Sequence, residues 1–324
     1  MKFPHRRKFL HLAAGAVALP VLPHIARAQR YPTRPVRIIL GVPAGGAADI
    51  VARLTGQRLS ERLGQAFVIE NRPGGGGNIA TEAVVRALPD GHTLLLVNPT
   101  NAINATLYEK LNFNFLRDII PVASVFHAPN VMVINPLVPA KSVPDFIDYA
   151  KANPAKINMA SPGVGTSPHL AGELFKMMAG INMIHVPYRT PPVADLIAGQ
   201  VQVSFSTVPA AIEYIKTGKV RALAVTDAAR LDVLSDIPTV GDFLPGYEAS
   251  AFYGIGAPKN MPTEIVDTLN KEINAALGDP KIKARLADLG GTVISGSPAD
   301  FGKLVAVETE KWAKVVKFSG AKAE

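Results

Sequence analysis

After about residue 35, the chain alternates between short apolar runs and longer stretches whose apolar residues recur at helical spacing. The apolar runs predict strands at Val36–Val42, Phe67–Asn71, Thr93–Val97, Val131–Ile134, Ile157–Ala160, Met183–Val186, Val201–Phe205, Val220–Val225 and Ala251–Gly256. The periodic stretches predict helices at Ala47–Leu63, Asn78–Ala87, Val143–Ala152, Pro168–Ala179, Pro191–Ala198, Pro209–Thr217, Pro262–Leu277 and Ala299–Phe318. This alternation predicts an α/β fold in which mostly parallel sheets are flanked by helices.

The N-terminal residues 1–28 have the features of a signal peptide. Arg6 and Arg7 precede an apolar stretch, and the small residues Ala26 and Ala28 mark a cleavage site that leaves Gln29 first. The paired arginines resemble a twin-arginine export signal, although His5 stands where that signal usually has Ser or Thr. We therefore expect export to the periplasm with cleavage between Ala28 and Gln29.

Removal of this segment changes the charge of the protein. The whole chain has a formal charge of +8, and the predicted signal contains five basic residues and no acids, so the mature chain carries +3. Its Lys and Arg residues are scattered and lack interleaved aromatic residues, which argues against a nucleic-acid partner. The chain has no cysteine, which excludes disulfides, thiol chemistry and cysteine-based metal sites.

The segment after the first predicted strand joins that strand to a helix through glycine. Such a turn exposes backbone N–H groups at the positive end of a helix dipole, where a carboxylate or phosphate binds. The absence of a Gly-Lys-Ser/Thr sequence excludes a nucleotide P-loop, and an ordinary tight turn is the alternative. The candidate ligand-binding residues here are Pro43, Ala44, Gly45, Gly46, Ala47, Ala48 and Asp49.

A second junction of the same kind lies in the other half of the chain. Its candidate ligand-binding residues are Ser161, Gly163, Gly165, Thr166 and His169. His169 either faces the ligand or makes a structural hydrogen bond, which is the commoner role for a histidine at this position. His169 and Glu173 lie four residues apart on one helix face, but two ligands make a poor metal site, and no metal site is predicted.

Further candidates follow other predicted strands. Asn78 comes after a glycine run that contains a Rossmann-like Gly75-x-Gly77-x-x-Ala80 match, but the next strand ends without the acid that a dinucleotide site requires. Thr100, Tyr188, Arg189 and Ser206 lie at or near strand ends, where open α/β sheets bind ligands. The alternatives are a surface loop for Asn78, helix caps for Thr100 and Ser206, and a solvated side chain for Arg189.

The length of the chain predicts two lobes: residues 29–128 with 249–324, and residues 129–248. No hydrolase elbow, Ser-x-x-Lys or His-Glu-x-x-His motif is present, so we predict no catalytic residues and no cofactor. The neutral donors near the predicted cleft suit reversible binding of an anion. Two alternatives are an exported dinucleotide-dependent enzyme built on the glycine run and a solute sensor for a membrane signalling partner.

Several motifs, taken together and in order along the mature chain, resemble the Bug family of extracytoplasmic solute-binding proteins of tripartite tricarboxylate transporters. They are Val42–Asp49, Glu70–Gly74, Pro89–Leu94, Ser161–His169, Val186–Tyr188 and Gly218–Val225. The resemblance implies a two-lobed periplasmic-binding-protein fold of type II. It also implies a monomer that closes on one small carboxylate and presents it to membrane permease subunits. In that family the loop matching Pro43–Asp49 binds a ligand carboxylate through backbone N–H groups and bridging waters, and the loop matching Gly163–Thr166 serves the other lobe.

The chain departs from the family pattern at two places. Arg189 and the three residues after it replace the usual Lys-Gly, and Ser206 stands where many members have Asp. The loss of that acid removes a partner for an amino group. We therefore expect a di- or tricarboxylate or an aromatic acid rather than an amino acid.

Overall fold

The computed structural model describes residues 31–188 and 192–323. Their strands are β1 (Val36–Leu40), β2 (Phe67–Asn71), β3 (Thr93–Val97), β4 (Ile119–Ile134), β5 (Asn158–Ser161), β6 (Ile184–Pro187), β7 (Val203–Thr207), β8 (Arg221–Val225), β9 (Ser250–Pro258) and β10 (Thr292–Val293). Their α-helices are α1 (Ala47–Leu63), α2 (Asn78–Val85), α3 (Pro99–Leu107), α4 (Phe115–Asp118), α5 (Val143–Ala152), α6 (Ser167–Ala179), α7 (Val193–Ile197), α8 (Val208–Lys216), α9 (Thr263–Leu277), α10 (Pro280–Ala287) and α11 (Pro298–Ser319).

The long strand β4 belongs to two sheet halves. In the first half, β2, β1 and β3 are parallel, and β9 joins them antiparallel between β3 and β4. In the second half, β6, β5 and β7 are parallel, and β7 and β8 pair antiparallel with β4. β4 pairs with β9 as far as Pro129 and with the strands of the second half from Asn130 onward.

The parallel strands form the apolar core of each half. β3 is buried at all five positions, as is typical of a strand covered by helices on both faces. In the second half, Val203 and Phe205 of β7 are fully buried. Trp312 of α11 is also fully buried, so the C-terminal helix is part of this core. None of the helices in the described residues combines the length and the apolar character that a bilayer crossing requires.

A hydrogen-bonded junction joins the two halves where β4 changes partner. Thr226 accepts a hydrogen bond from Asn130 N–H at 2.9 Å, and its own hydroxyl donates to the carbonyl of Ala249 at 2.6 Å. The side-chain amide of Asn130 also donates to Ala249 O, at 3.0 Å. All three residues are fully buried, so three segments that are distant in sequence are fixed to one another here.

The largest departure from the predicted elements is β4. The sequence predicts only Val131–Ile134, because Pro121 and Pro129 interrupt the preceding apolar run and proline disfavours a central strand. The strand tolerates them because its register with β9 shifts between Pro121 and Ala123 and because Pro129 stands where the partner changes. Helix α10 and the short strand β10 were also not predicted.

Candidate functional site

A cleft lies between loops of the two sheet halves. Two adjoining cavities, of about 520 and 700 Å³, share the lining residues Val42, Pro43, Asn98, Thr100, Pro162 and Thr166. The first four come from the first half of the sheet and the last two from the second. The cleft therefore lies between the two predicted ligand-binding loops.

Four helices begin at this cleft. The residues that cap α1, α3, α6 and α8 all line it, namely Gly46, Asn98, Thr166 and Thr207. Each helix presents the positive end of its dipole at this end, and α1 and α8 also keep first-turn N–H groups that no cap side chain takes. Their convergence makes the cleft attractive to an anion.

The lining of the cleft formed by the described residues is neutral. Among residues 31–188 and 192–323, no Lys, Arg, His, Asp or Glu lines either cavity. The polar groups of the lining are backbone amides and the side chains of Asn, Ser, Thr and Tyr. An anion bound here would be held by amide and hydroxyl donors, and an ammonium group would find no carboxylate.

The loop before α1 keeps its backbone open to the cleft. Gly46 caps α1 without a side chain, so no side-chain atom takes the first-turn N–H groups. Gly45 has φ +90°, a conformation that favours glycine, and a side chain there would have no neighbour within 4 Å. All the predicted residues from Pro43 to Ala48 line the cleft.

Asp49 stabilises this loop from behind and does not line the cleft. It is 4 % exposed and accepts hydrogen bonds from Gly45 N–H at 3.0 Å and from Arg53 at 2.9 Å. Burial opposes ionisation of Asp49, but the hydrogen bonds from Arg53 and Gly45 outweigh it and lower the pKa of the carboxyl group. The ionised carboxylate therefore fixes the glycine turn.

The loop before α6 uses its own polar groups internally. The Thr166 side chain accepts from His169 N–H at 3.4 Å and donates to Gly163 O at 2.7 Å. Gly165 N–H donates to Nδ1 of His169 at 3.2 Å. Ser161 is fully buried, and its Oγ lies 2.7 Å from Nε2 of His185. Gly163 and Thr166 line the cleft, whereas Ser161, Gly165 and His169 lie behind it.

Two stacked imidazoles support this second loop. The rings of His169 and His185 lie 3.8 Å apart between centroids. Burial lowers the pKa of His169 to about 3 and that of His185 to about 4, and the positive charge of Lys176 contributes to both. Both rings are therefore neutral near pH 7, and Nδ1 of His169 is free to accept the Gly165 hydrogen bond.

The remaining predicted residues lie at different depths. Thr100 and Tyr188 line the cleft, and the Tyr188 hydroxyl donates to Asp195 at 2.8 Å. Asn78 lies behind the glycine run, where its side-chain oxygen accepts from Asn104 at 3.0 Å. Ser206 is buried, with its hydroxyl 3.2 Å from that of Ser204. Arg189 lies outside the described residues.

Three strand residues outside the predicted set also line the cleft: Thr207, Ala251 and Tyr253. Thr207 faces it instead of Ser206, because successive side chains of a strand point to opposite faces. Tyr253 belongs to β9, which runs antiparallel to β3, so the N-terminal part of β9 meets the carboxyl end of β3. A search restricted to the carboxyl ends of strands passes over such a residue. Burial raises the pKa of Tyr253 to about 12, so its hydroxyl stays protonated.

The family and the structural neighbours agree with this geometry. Residues 51–320 match the model of the tripartite tricarboxylate transporter family receptor. The solved structure of Rpa4515 from R. palustris with adipate is 37 % identical, covers 90 % of this chain and 98 % of its own, and has a TM-score of 0.82. The periplasmic binding protein BugD is 32 % identical, with coverages of 91 % and 100 % and a TM-score of 0.80. MatC from Rhodopseudomonas palustris with bound malate is 30 % identical, with coverages of 88 % and 100 % and a TM-score of 0.80.

These neighbours confirm the two-lobed α/β fold and the resemblance to the Bug family. They also decide between a receptor and the alternative of a dinucleotide-dependent enzyme, because the family and its solved members are solute-binding receptors. The chain belongs to the tripartite tricarboxylate transporter receptor family and is a solute-binding receptor rather than an enzyme.

Proposed function

We propose that this protein is a periplasmic receptor for a small di- or tricarboxylate, or an aromatic acid, that has no amino group. The ligand binds between lobe 1, residues 29–128 with 249–324, and lobe 2, residues 129–248. Closure of the lobes holds the ligand for delivery to the permease subunits of a tripartite tricarboxylate transporter.

The observation that carries this proposal is the convergence of four helix N-termini on a cleft without charged side chains in the described residues. The N-terminus of α1 suits a carboxylate best, since Gly46 leaves its N–H groups available. The other three helices each have Pro at the first or second position, which removes one donor from each. One carboxylate at α1 is therefore the main anchor.

The exclusion of amino acids depends on the whole lining rather than on Ser206. The structure places Ser206 against Ser204, away from both cavities, so an acid missing at that position does not by itself alter the lining. The described lining contains no Asp or Glu, and this supports the same preference. An amino group buried here would lose water without gaining an ionic partner.

The two solved neighbours with bound ligands support a diacid. Adipate and malate each carry two carboxylates, and the structures that bind them are 37 % and 30 % identical to this chain. The two adjoining cavities offer space on both sides of the shared residues Pro43 and Thr166. A second carboxylate can therefore lie beyond the α1 anchor, toward the second lobe.

The partner change of β4 supports closure of the lobes. A ligand that contacts both halves stabilises the closed arrangement by the difference between its affinities for the closed and open states. The junction of Asn130, Thr226 and Ala249 is the natural pivot, because all three residues are buried and bonded to one another. This is also where the proposed boundaries of the lobes lie.

A panel of acids tests the ligand class. Calorimetry and thermal unfolding of the mature protein would compare succinate, malate, adipate, citrate and benzoate with aspartate. Malate and aspartate are the most discriminating comparison, because malate carries a hydroxyl group where aspartate carries an amino group. At a concentration of about 100 times the dissociation constant, the preferred acid should stabilise the protein by about 2.7 kcal/mol and raise Tm by several degrees. Tighter binding of aspartate than of every acid in the panel contradicts the proposal.

A further inference from the structure

The junction between the sheet halves carries a cluster of donor groups that the cleft does not use. His127 lies in β4 before the partner change, Asp227 directly follows Thr226, and Glu248 directly precedes Ala249. One donor atom of each of these three residues lies within 4.8 Å of the donor atoms of the other two. One imidazole and two carboxylates from three distant segments therefore meet at one place.

We propose that His127, Asp227 and Glu248 bind a divalent first-row transition-metal ion, with Zn²⁺ as the favoured ion. Imidazole nitrogen combined with carboxylate oxygen is a donor set that zinc accepts, whereas Mg²⁺ and Ca²⁺ prefer oxygen ligands alone. Three protein ligands leave the fourth tetrahedral position to water.

The distance between His127 and Asp227 suits such an ion. Nδ1 of His127 lies 3.4 Å from Oδ2 of Asp227. Two donors on a tetrahedral zinc, each about 2.1 Å from the ion, are about 3.4 Å apart. The side chains of His127 and Asp227 are 20 % and 17 % exposed, so the ion would be partly shielded from water. Glu248 is exposed, and its long side chain has the freedom to complete the set.

The backbone holds the three segments in position for this role. Thr226 N–H donates to Asn130 O at 2.9 Å, and Ala249 N–H donates to Thr226 O at 2.9 Å. These bonds place the neighbouring residues Asp227 and Glu248 beside each other. His127 is fixed separately, because β4 pairs there with Phe252 of β9 and with Thr292 of β10. Little chain entropy remains to be lost when the ion binds.

No local pattern in the sequence indicates this site. The expectation of no metal site rests on spacing along the chain, and here Asp227 lies 100 residues after His127 and Glu248 a further 21 residues on. Only the pairing of β4 with β9 and the hydrogen bonds of Thr226 bring them together. The proposed ion would connect β4 to both segments at the junction of the lobes.

Zinc titration of the untagged mature protein tests the proposal. The protein would first be treated with a chelator and dialysed into a buffer without carboxylates, and calorimetry would then follow added ZnCl₂. We expect saturable binding of one ion per chain. His127→Gln, Asp227→Asn and Glu248→Gln should each weaken it at least about tenfold, and Glu61→Gln, which alters an exposed acid of α1 beside the edge strand β2, should leave it unchanged. Added CoCl₂ should give the visible absorption of a tetrahedral site with nitrogen and oxygen ligands.

Two results overturn the proposal: no saturable binding of zinc, or binding that the three variants at the cluster leave unchanged. The first is what a simple ion pair between His127 and Asp227 predicts. Circular dichroism of each variant shows whether it is folded, and the three separate single substitutions guard against one that is not. Because the titration contains no carboxylate, its outcome is independent of the proposed carboxylate binding.

Discussion

The loops at Pro43–Asp49 and Ser161–His169 share one local design but use it differently. In each, a strand leads through glycines into a helix, and a glycine N–H donates to the side chain four residues later. The pairs are Gly45 with Asp49 and Gly165 with His169. The same contact therefore fixes both turns, through a carboxylate in one and a neutral imidazole in the other.

The difference lies in the cap of the following helix. Gly46 leaves the first-turn N–H groups of α1 without a side-chain partner, whereas Thr166 takes one N–H of α6 for itself. A glycine cap costs the helix only a few tenths of a kcal/mol relative to a polar cap. The comparison indicates that the helix start without a side-chain cap keeps its N–H groups available for the proposed ligand. The capped loop uses its donors to stabilise its own turn.

Gly46→Asp gives α1 a side-chain cap like that of α6, and it has the largest expected effect. Gly46 has φ −83°, and a Cβ there would have no neighbour within 4 Å, so the side chain fits without strain. The new carboxylate would take the N–H groups of α1 and repel an anion. We expect a loss of affinity for the preferred acid of about a thousand-fold, or about 4 kcal/mol, measured by calorimetry. The melting temperature without ligand should stay equal or rise.

Two control variants separate the effect of the negative charge from the effect of capping the α1 N–H groups. Gly46→Asn adds a capping side chain of the same shape without the charge, and Gly46→Ala adds no capping side chain and no charge. Affinity should therefore decrease in the order Ala, Asn, Asp. Equal affinity of the Asp and Ala variants would mean that the ligand carboxylate does not bind at α1.

Much of the fold could be predicted from the sequence where local signals agree. Helix α1 and helix α5 have the predicted bounds, since a glycine turn precedes α1, and Ser142 caps α5 with Pro144 in its first turn. β4 could not be predicted in full, because its prolines are ordinary strand breakers and only its tertiary partners allow them. The partner change at Pro129 and Asn130 is a property of the sheet, which no local pattern contains.

For the site, the sequence predicted the loops and left open the orientation of individual side chains such as His169. Pro43–Ala48 line the cleft because they form the turn itself, whereas Asp49 and His169 turn back to bond their own loops. Thr207 and Tyr253 line the cleft because strand face and antiparallel register decide which side chains face it, and neither is set by a local pattern. The set of residues that contact the ligand stays a prediction.

Substitution of Gly45 and of Gly165 by alanine tests how tightly the two turns are packed. Gly45 and Gly165 both have positive φ, at +90° and +75°. A Cβ on Gly45 meets nothing within 4 Å, whereas one on Gly165 would lie 2.6 Å from Cδ2 of Leu107 in α3. We expect Gly45→Ala to cost about 1 kcal/mol of unfolding free energy from backbone strain, and Gly165→Ala about 3 kcal/mol because overpacking adds to it. Denaturant unfolding at constant m measures both, and equal costs would show that the Leu107 contact relaxes freely.

The two supporting side chains should lose their contributions in different pH ranges. The pKa of His169 is lowered from 6.5 to about 3, so the unfolded chain binds a proton that the native chain does not. Its contribution to stability is complete above about pH 6.5 and decreases as the pH falls toward 3. The pKa of Asp49 is lowered from 3.8, so its contribution is lost only below that value.

We therefore expect wild-type protein to lose about 2 kcal/mol more than His169→Gln between about pH 6.5 and 4.5, measured by urea unfolding. Glutamine keeps a hydrogen-bond acceptor at this position and does not titrate. Asp49→Asn should follow the wild-type curve in this range and diverge only at lower pH. Parallel curves for wild type and His169→Gln would contradict a buried neutral imidazole.

Thr166→Ala has the smallest expected effect and tests the other side of the comparison. The substitution removes the cap of α6 and should lower the free energy of unfolding by about 1 kcal/mol. Thr166→Ser keeps the hydroxyl and should keep most of that stability. Affinity for the preferred acid should change by less than about threefold, because the freed N–H of His169 compensates for the lost hydroxyl. Gly46 and Thr166 occupy the same position in their loops. If substitution changes binding at Gly46 but only stability at Thr166, the ligand carboxylate binds at α1. A larger loss of affinity at Thr166 than at Gly46 would place the carboxylate at α6.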